Sequence, residues 1–311
     1  MKAIKTIMQL ERVYVHRLVN YNTTNYPRDK EHPNIRPDDR VEALSLDYEA
    51  EHRKTAISEY LPIYPVAWTY EFTHEEVSVL LQYTAIGRLS GRIPHSTDPR
   101  YDHHEDLNMI ARRMQSAHEK TLSEDQWFFR FGSASPKDGV IGYPVNAVKD
   151  ILKMIITSKR AYSALLAGNH ILYFCKYRHD WNPDREFRVF IRRGKVTAIS
   201  QYGSRHSYWS AYSDEDLLDL GQRIVDFCHE TLKYLPKLAN RDLTMDVIVN
   251  ESLDNIELIE MNCFGYWQAA GSSLFDWLDD YDKLYGYTGK ICLRVANQES
   301  NTVDMYTRAL L

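Results

Sequence analysis

The stretch that decides the fold is Arg185–Tyr202, REFRVFIRRGKVTAISQY. Two runs of β-branched and aromatic residues flank the short polar segment Arg192–Lys195, and this pattern predicts a β-hairpin. Side chains alternate between the two faces of a strand, so Glu186 and Arg188 share one face of the first run while the other face is apolar. An acid and a base placed in this way form either a structural ion pair or one wall of a polar cleft.

Length and composition describe a folded protein with a substantial core. The chain has 311 residues, 44% of them hydrophobic, which suffices for one large domain or two moderate ones. Its formal net charge of -5 argues against a general nucleic-acid binder, because such proteins are more often basic. We therefore expect no nucleic-acid partner.

The four cysteines and the hydropathy pattern suggest a reducing compartment away from the membrane. Cys175, Cys228, Cys263 and Cys292 include no pair at CxxC spacing, so neither a zinc site nor a redox pair is expected. No apolar run approaches the ~20 residues of a membrane span, and the start of the chain lacks a signal-peptide core. These features predict a cytoplasmic protein without a membrane partner.

Helices and strands alternate irregularly along the chain, with hairpins among them. The clearest helix is predicted over residues 213–235, where Ser213 is a good N-cap and Asp216 follows three residues later. Two strands follow it, LTMDVIVN and IELIEMN, separated by the turn ESLDN. The order predicts an α+β protein with antiparallel sheets rather than a doubly wound one.

The last two of these strands carry polar residues among apolar ones. Asp246 lies in the first, and period-two alternation places Glu260 and Asn262 on one face of the second. If the strands pair, the three side chains can converge, and their oxygens are the hard ligands that suit magnesium. The alternative is that they are ordinary solvent-facing residues near strand ends.

A second candidate region is the segment FFRFGSASPKDG. Arg130 lies in a strand of aromatic residues, and the strand runs into a loop of small residues that holds Ser135 and Lys137. Such a loop lets backbone N–H groups approach phosphate oxygens, and the lysine adds positive charge. The same residues are also common in ordinary turns, and the segment matches neither a Walker P-loop nor a GxGxxG motif.

With these residues in place, the sequence resembles the cell division cycle protein 123 family, a divergent branch of the ATP-grasp superfamily. Four segments carry the resemblance, in the family's order and at similar spacing over roughly residues 127–280: RFGSASPKDG; ILYFCKYR with REFRVFIRRGKVTAISQY; MDVIVN with IELIEMNCFG; and SSLFDW. The resemblance implies an ATP-grasp fold, in which two α+β lobes with antiparallel sheets enclose a nucleotide cleft. The implied segments are an arm over 1–70, a core over 71–290 with lobes of about 71–180 and 181–290, and a tail over 291–311.

The resemblance also assigns roles to individual residues around ATP and Mg²⁺. Arg130, Ser135 and Lys137 would contact the phosphates, and Lys137 would lie on a loop that closes over them. The hinge beside adenine would comprise Phe174, Cys175, Lys176 and Tyr177. Glu186 and Arg188 would line the cleft, Arg188 and Lys137 would stabilise a transferring phosphoryl group, and Asp246, Glu260 and Asn262 would bind magnesium.

Two functions are compatible with such a site. The family resemblance implies an ATP-dependent assembly factor, or chaperone, for a translation initiation factor 2-like protein partner. The alternative is an ATP-grasp carboxylate–amine ligase that joins small substrates through an acyl-phosphate. The cations Arg192, Arg193, Lys195 and Arg205 would bind an acidic acceptor in the second case, or they form a solvated turn.

Overall fold

A computed structural model describes residues 13–18, 52–90, 104–203, 207–265 and 271–296. The chain divides into two compact units. The first, called the three-stranded unit below, is Ala56–Trp181. The second, called the six-stranded unit below, is formed by the described residues of Met1–Thr55 and Asn182–Leu311. Each unit has its own sheet.

Strands and helices follow one another irregularly along the described residues, as the sequence pattern predicts. The strands are β1 (Val13–Leu18), β2 (Trp68–Glu71), β3 (Trp127–Phe131), β4 (Ile171–Lys176), β5 (Glu186–Arg192), β6 (Lys195–Gln201), β7 (Leu243–Val249), β8 (Ile256–Cys263) and β9 (Ile291–Ala296). The helices are α1 (Ile57–Tyr60), α2 (His74–Ser90), α3 (His104–Glu124), α4 (Val148–Thr157), α5 (Lys159–Leu166), α6 (Asp214–Lys233) and α7 (Tyr281–Leu284). The predicted α+β fold class is confirmed.

The six-stranded sheet has the order β1-β9-β6-β5-β7-β8. Strands β6, β5, β7 and β8 are antiparallel neighbours, as predicted. At the other side of the sheet β9 runs parallel to both β1 and β6, so the predicted antiparallel pairing does not extend to these strands. Strands β1 and β9 lie within the predicted arm and the predicted tail, and every residue of β9 is buried.

The β5–β6 hairpin predicted from the opening stretch is confirmed. Its two turn residues, Arg193 and Gly194, both have positive φ angles, 48° and 73°. Such angles give a turn whose twist matches that of the flanking strands. A Cβ on Gly194 would lie 2.0 Å from the carbonyl oxygen of Ala239, so glycine is required at this position.

Helix α6 covers one face of the six-stranded sheet. Ser213 and Asp216 form the capping box that the sequence predicted, and the buried stripe of the helix includes Leu217, Ile224 and Cys228. The helix packs on β1, β6 and β9. Gly221 permits this approach, because a Cβ there would lie 2.8 Å from Cγ1 of Val13.

An aromatic cluster packs on the opposite face of this sheet. Phe190 packs against Phe275 and Trp277, with ring centroids 5.6 and 5.3 Å away. Ala198 and Cys292 complete the floor of the cluster. Because Phe190 and Arg188 share a face of β5, the cluster ends next to the charged residues of the opening stretch.

The three-stranded unit has an antiparallel sheet in the order β2-β4-β3, with α2 to α5 packed around it. Its core is rich in aromatic side chains, and the ring of Trp68 lies parallel to that of Phe174 at a centroid distance of 3.6 Å. Helix α5 begins at Ser158, whose hydroxyl oxygen accepts from the backbone N–H of Ala161. No helix in the described ranges has both the length and the apolar content needed to cross a membrane.

A buried ion pair joins β9 to the segment before α7. Both guanidinium NH₂ groups of Arg294 donate to the carboxylate of Asp280, and the two side chains are only 7% and 10% exposed. Lys283 donates to the same carboxylate at 2.6 Å. Burial alone would raise the pKa of Asp280, but the hydrogen bonds from Arg294 and Lys283 outweigh it and hold that pKa below its usual 3.8.

We predict that Asp280→Asn lowers the free energy of unfolding by about 3 kcal/mol at pH 7, because it leaves Arg294 buried without its counter-charge. Since the folded pKa of Asp280 is depressed, the advantage of wild type over the variant should be full above the unfolded value of 3.8. It should shrink as the pH falls below that value. Urea unfolding across this pH range measures it, and Asp279→Asn, at an exposed neighbour, is the control. An equal loss in both variants would contradict the prediction.

Candidate functional site

Three adjacent strands of the six-stranded unit place charged residues in one row. Arg188 of β5 lies directly opposite Asp246 of β7, and Asp246 lies opposite Glu260 of β8. Paired residues of neighbouring strands project from the same face of a sheet, so the three side chains stand side by side. The predicted convergence of Asp246 and Glu260 is confirmed, and Arg188 joins them. This row is called the charged row below.

Arg188 and Asp246 form a bidentate buried ion pair. Nε of Arg188 donates to Oδ1 of Asp246 at 2.8 Å, and one NH₂ group donates to Oδ2 at 2.6 Å. The other NH₂ group donates to the carbonyl oxygen of Gly271 at 2.6 Å. Burial would lower the pKa of Arg188, but the Asp246 carboxylate raises it beyond its usual value, so the guanidinium stays charged. Arg188 thus forms its ion pair with Asp246, whereas the sequence-based interpretation named Glu186 as the partner.

Tyr202 is a site residue that the sequence analysis missed. The guanidinium carbon of Arg188 lies over its ring, 4.8 Å from the centroid, within cation–π range. Burial raises the pKa of Tyr202 above its usual value. The charge of Arg188 lowers this pKa, and nearby carboxylates raise it further, those of Asp246, Glu260 and Glu186. Glu186 therefore belongs to the same charged surroundings. The hairpin register could have predicted this position, because the pairing of Phe187 with Gln201 continues by one residue to Glu186 and Tyr202.

Asn262 completes a group of oxygen-bearing side chains. Its Nδ2 lies 3.4 Å from Oδ2 of Asp246 and 3.3 Å from Oε1 of Glu260. A half-turn of the amide about its last bond exchanges nitrogen and oxygen, which would bring three oxygen donors to one point. Each oxygen of Asp246 keeps a second lone pair beside its bond to Arg188. The side chains therefore fit a magnesium ion, which prefers hard oxygen ligands.

The amide of Asn262 is essential to such a site. Within the described ranges, no three His, Cys, Asp or Glu side chains come together as metal ligands. Two carboxylates with one amide are consistent with magnesium, which keeps several waters and needs few protein ligands.

The predicted phosphate residues of the three-stranded unit lie on β3 and the loop after it. Arg130 is buried on β3, at 3% exposure. Ser135 is buried in the loop, and Lys137 beside it is exposed. The carboxylate of Asp138 accepts from Ser158 and from the backbone N–H of Lys159, which anchors the loop to the start of α5. The loop thus has a fixed base and an exposed lysine.

The predicted hinge lies at the end of β4. Burial raises the pKa of the Cys175 thiol to about 11, despite nearby Arg130, so this cysteine is a poor nucleophile. Lys176 is exposed and pairs with Asp125 at 2.7 Å. The backbone N–H of Tyr177 donates to Gln126 at 2.8 Å, which directs Tyr177 toward the β3 side. Successive residues of a strand direct their backbone N–H and C=O groups to opposite sides, so those of Lys176 face the side of β2. Strand β2 begins at Trp68, which pairs with Phe174, and Lys176 lies two residues beyond that pair.

The fold defines a class: this is an α+β protein with one six-stranded and one three-stranded sheet. The D123 family model matches residues 155–309. A putative CDC123-like protein of Acanthamoeba polyphaga mimivirus is 30% identical over 172 residues, which cover 50% of each chain. These matches confirm the resemblance to the cell division cycle protein 123 family. The chain spans about half the length of this curated relative.

Two solved structures of Cdc123 from Schizosaccharomyces pombe have the same fold. The first matches with a TM-score of 0.55 at 14% identity, over 80% of this chain and 98% of the other. The second, which is truncated at its C-terminus, matches with a TM-score of 0.54 at 15% identity over the same shares. At this level of identity the match establishes the fold.

We predict that Arg188→Met destabilises the protein by about 3–5 kcal/mol, because Asp246 would be left buried without its cation. The double variant Arg188→Met with Asp246→Leu removes both charges and should recover most of that loss. Urea unfolding of the wild type, both single variants and the double variant measures the coupling between the two residues. Losses that simply add in the double variant would contradict the interpretation of this pair.

Proposed function

We propose that the protein binds Mg²⁺-ATP and acts as an ATP-dependent assembly factor for a protein partner. The observation that carries the proposal is the charged row with Asn262 beside it. It combines a buried, permanently charged guanidinium with two carboxylates and an amide on one sheet face. Carboxylate and amide oxygens are ligands that suit magnesium, and a guanidinium is a group that binds phosphate.

Asp246, Glu260 and Asn262 would hold the magnesium ion. The ion would supply positive charge that offsets the negative charge of a bound phosphate group. Arg188 is the counter-ion of Asp246, and Glu260 adds a second carboxylate to the row. The bonds of Arg188 to Asp246 and Gly271 also fix the Asp246 carboxylate in place before any ligand arrives. Arg188 and Glu186 would then line the phosphate side of the site.

The three-stranded unit has residues of its own that would suit a nucleotide. Arg130 and Lys137 carry the positive charge for phosphates, and the loop around Ser135 offers backbone N–H groups. The backbone of Cys175, Lys176 and Tyr177 would contact adenine. Lys176 is the best placed of the three, because its N–H and C=O face the side of β2 but lie beyond the last residue pair of β2 with β4. Adenine has both a donor and an acceptor for such a strand edge.

The assembly role rests on the family resemblance, which implies a translation initiation factor 2-like partner. A ligand that binds one conformation better than others shifts the population toward it. ATP would in this way favour the form that binds the partner. The geometry of Arg188 supports a protein that holds ATP rather than one that transfers its phosphoryl group, since three donor groups of Arg188 already bind protein oxygens.

The ligase alternative uses the same nucleotide site and needs a cationic place for an acidic acceptor. Arg192, one candidate for that place, lies over the rings of Tyr285 and Tyr287, 4.7 and 5.5 Å from their centroids. The backbone N–H of Arg193 donates to Asp242 at 2.8 Å. These contacts give the turn residues a structural role in place of a role in binding an acceptor, which favours the assembly role. Arg205 lies outside the described residues.

We predict that ATP binds in a magnesium-dependent manner and that Glu260→Gln with Asn262→Ala weakens this binding at least ~10-fold, because both changes remove metal oxygens. Calorimetric titration of ATP, with magnesium and with EDTA, measures it. Glu230→Gln is the control, since it removes an exposed carboxylate of helix α6, away from the charged row. Equal ATP affinity in all three proteins would contradict the metal assignment.

The same samples assayed for ADP and phosphate distinguish the two functions. The assembly role predicts tight binding with negligible turnover, even when amino acids and peptides are added. Production of ADP that depends on such acceptors would identify a ligase and would contradict the assembly role.

A further inference from the structure

The carboxylate of Asp138, in the loop after β3, occupies the start of helix α5. One of its oxygens accepts from the hydroxyl of Ser158 at 2.5 Å. The other accepts from the backbone N–H groups of Lys159 and Arg160 at 3.0 and 3.3 Å. The first N–H groups of a helix have no partner within the helix, and the positive end of the helix dipole lies there. The aspartate thus satisfies these groups, and they offset its charge.

The same loop is fastened at a second point, two residues further on. The backbone N–H of Val140 donates to the hydroxyl oxygen of Thr157 at 3.1 Å. Thr157 is the last residue of α4 and is buried, so this acceptor is itself fixed. Between the two points, the N–H of Gly139 donates to the carbonyl oxygen of Pro136 at 3.1 Å and closes a turn. Lys137 lies within that turn, whose backbone is held by α4 and α5.

The order of charges along the turn gives the contact with α5 a second consequence. Lys137 is exposed and carries positive charge, and the next residue is an acid. A carboxylate that paired with this lysine would compete with phosphate for the ammonium group. Because the carboxylate of Asp138 binds the start of α5, it is engaged there instead.

We propose that Asp138 is a positioning residue that presents Lys137 to the phosphate groups of ATP. The inference rests on the proposed function, because it assumes that Lys137 binds phosphate. Asp138 itself does not touch the nucleotide. It holds the turn in one arrangement in advance of binding, which reduces the conformational entropy that binding must remove.

Two substitutions of Asp138 separate this role from the effect of its charge. Asp138→Asn and Asp138→Ala remove the same charge, but asparagine keeps an oxygen for the N–H groups of α5 and an amide that can donate to Ser158. We predict that Asp138→Ala raises the dissociation constant for Mg²⁺-ATP, measured by calorimetric titration, about 5-fold or more. Asp138→Asn should stay within about 2-fold of wild type.

Lys137→Ala provides a second background. If Asp138 acts through the lysine, Asp138→Ala should change ATP affinity by less than about 2-fold once the lysine is absent. Thr157→Val removes the acceptor of the Val140 N–H and leaves every charge in place, so it should also weaken ATP binding. This variant carries the test if circular dichroism shows that Asp138→Ala does not fold.

Equal ATP affinity of Asp138→Ala and wild type would overturn the inference while leaving the proposed nucleotide site intact. Equal losses in Asp138→Ala and Asp138→Asn would also overturn it, as would an undiminished loss in the Lys137→Ala background. If Asp138→Ala does not fold, wild-type affinity of Thr157→Val overturns it. Absence of ATP binding by the wild type would overturn the proposed function and this inference together.

Discussion

The six-stranded unit depends on the need to keep the carboxylate of Asp246 paired inside a sheet. Asp246 and Arg188 have side chains that are only 2% and 5% exposed, and each of the two bonds between them is shorter than 3 Å. A lone charge at this depth would be costly, so β5 and β7 must pair in the register that opposes these residues. The register of β7 with β8 then sets Glu260 opposite Asp246 and Asn262 one row away. The site is thus a consequence of how the sheet satisfies its own buried charge.

The parts of this structure that local patterns determine could be predicted from the sequence. The hairpin at Arg193 and Gly194 follows from its turn residues, and helix α6 follows from its capping box at Ser213 and its apolar stripe. The closeness of Asp246 to Glu260 also follows, because two strands joined by a short turn pair in one of few registers.

The rest depends on pairings between distant parts of the chain. Alternation gives the face of a residue and not its neighbouring strand, so Glu186 was as good a partner for Arg188 as Asp246. Strand β9 pairs in parallel with β1, and no turn in the sequence indicates this pairing. Tyr202 was missed because it follows the last residue of β6, where the strand pattern ends.

The measurement that tests the central claim most directly is anomalous diffraction from crystals grown with Mn²⁺ and a non-hydrolysable ATP analogue. The claim is that the charged row with Asn262 is a metal–phosphate site. It predicts a manganese peak within coordination distance of Glu260, Asp246 and the amide oxygen of Asn262, with phosphate oxygens on the same ion. Bound nucleotide with its manganese elsewhere, or with Asn262 still donating its nitrogen to the two carboxylates, would contradict the claim.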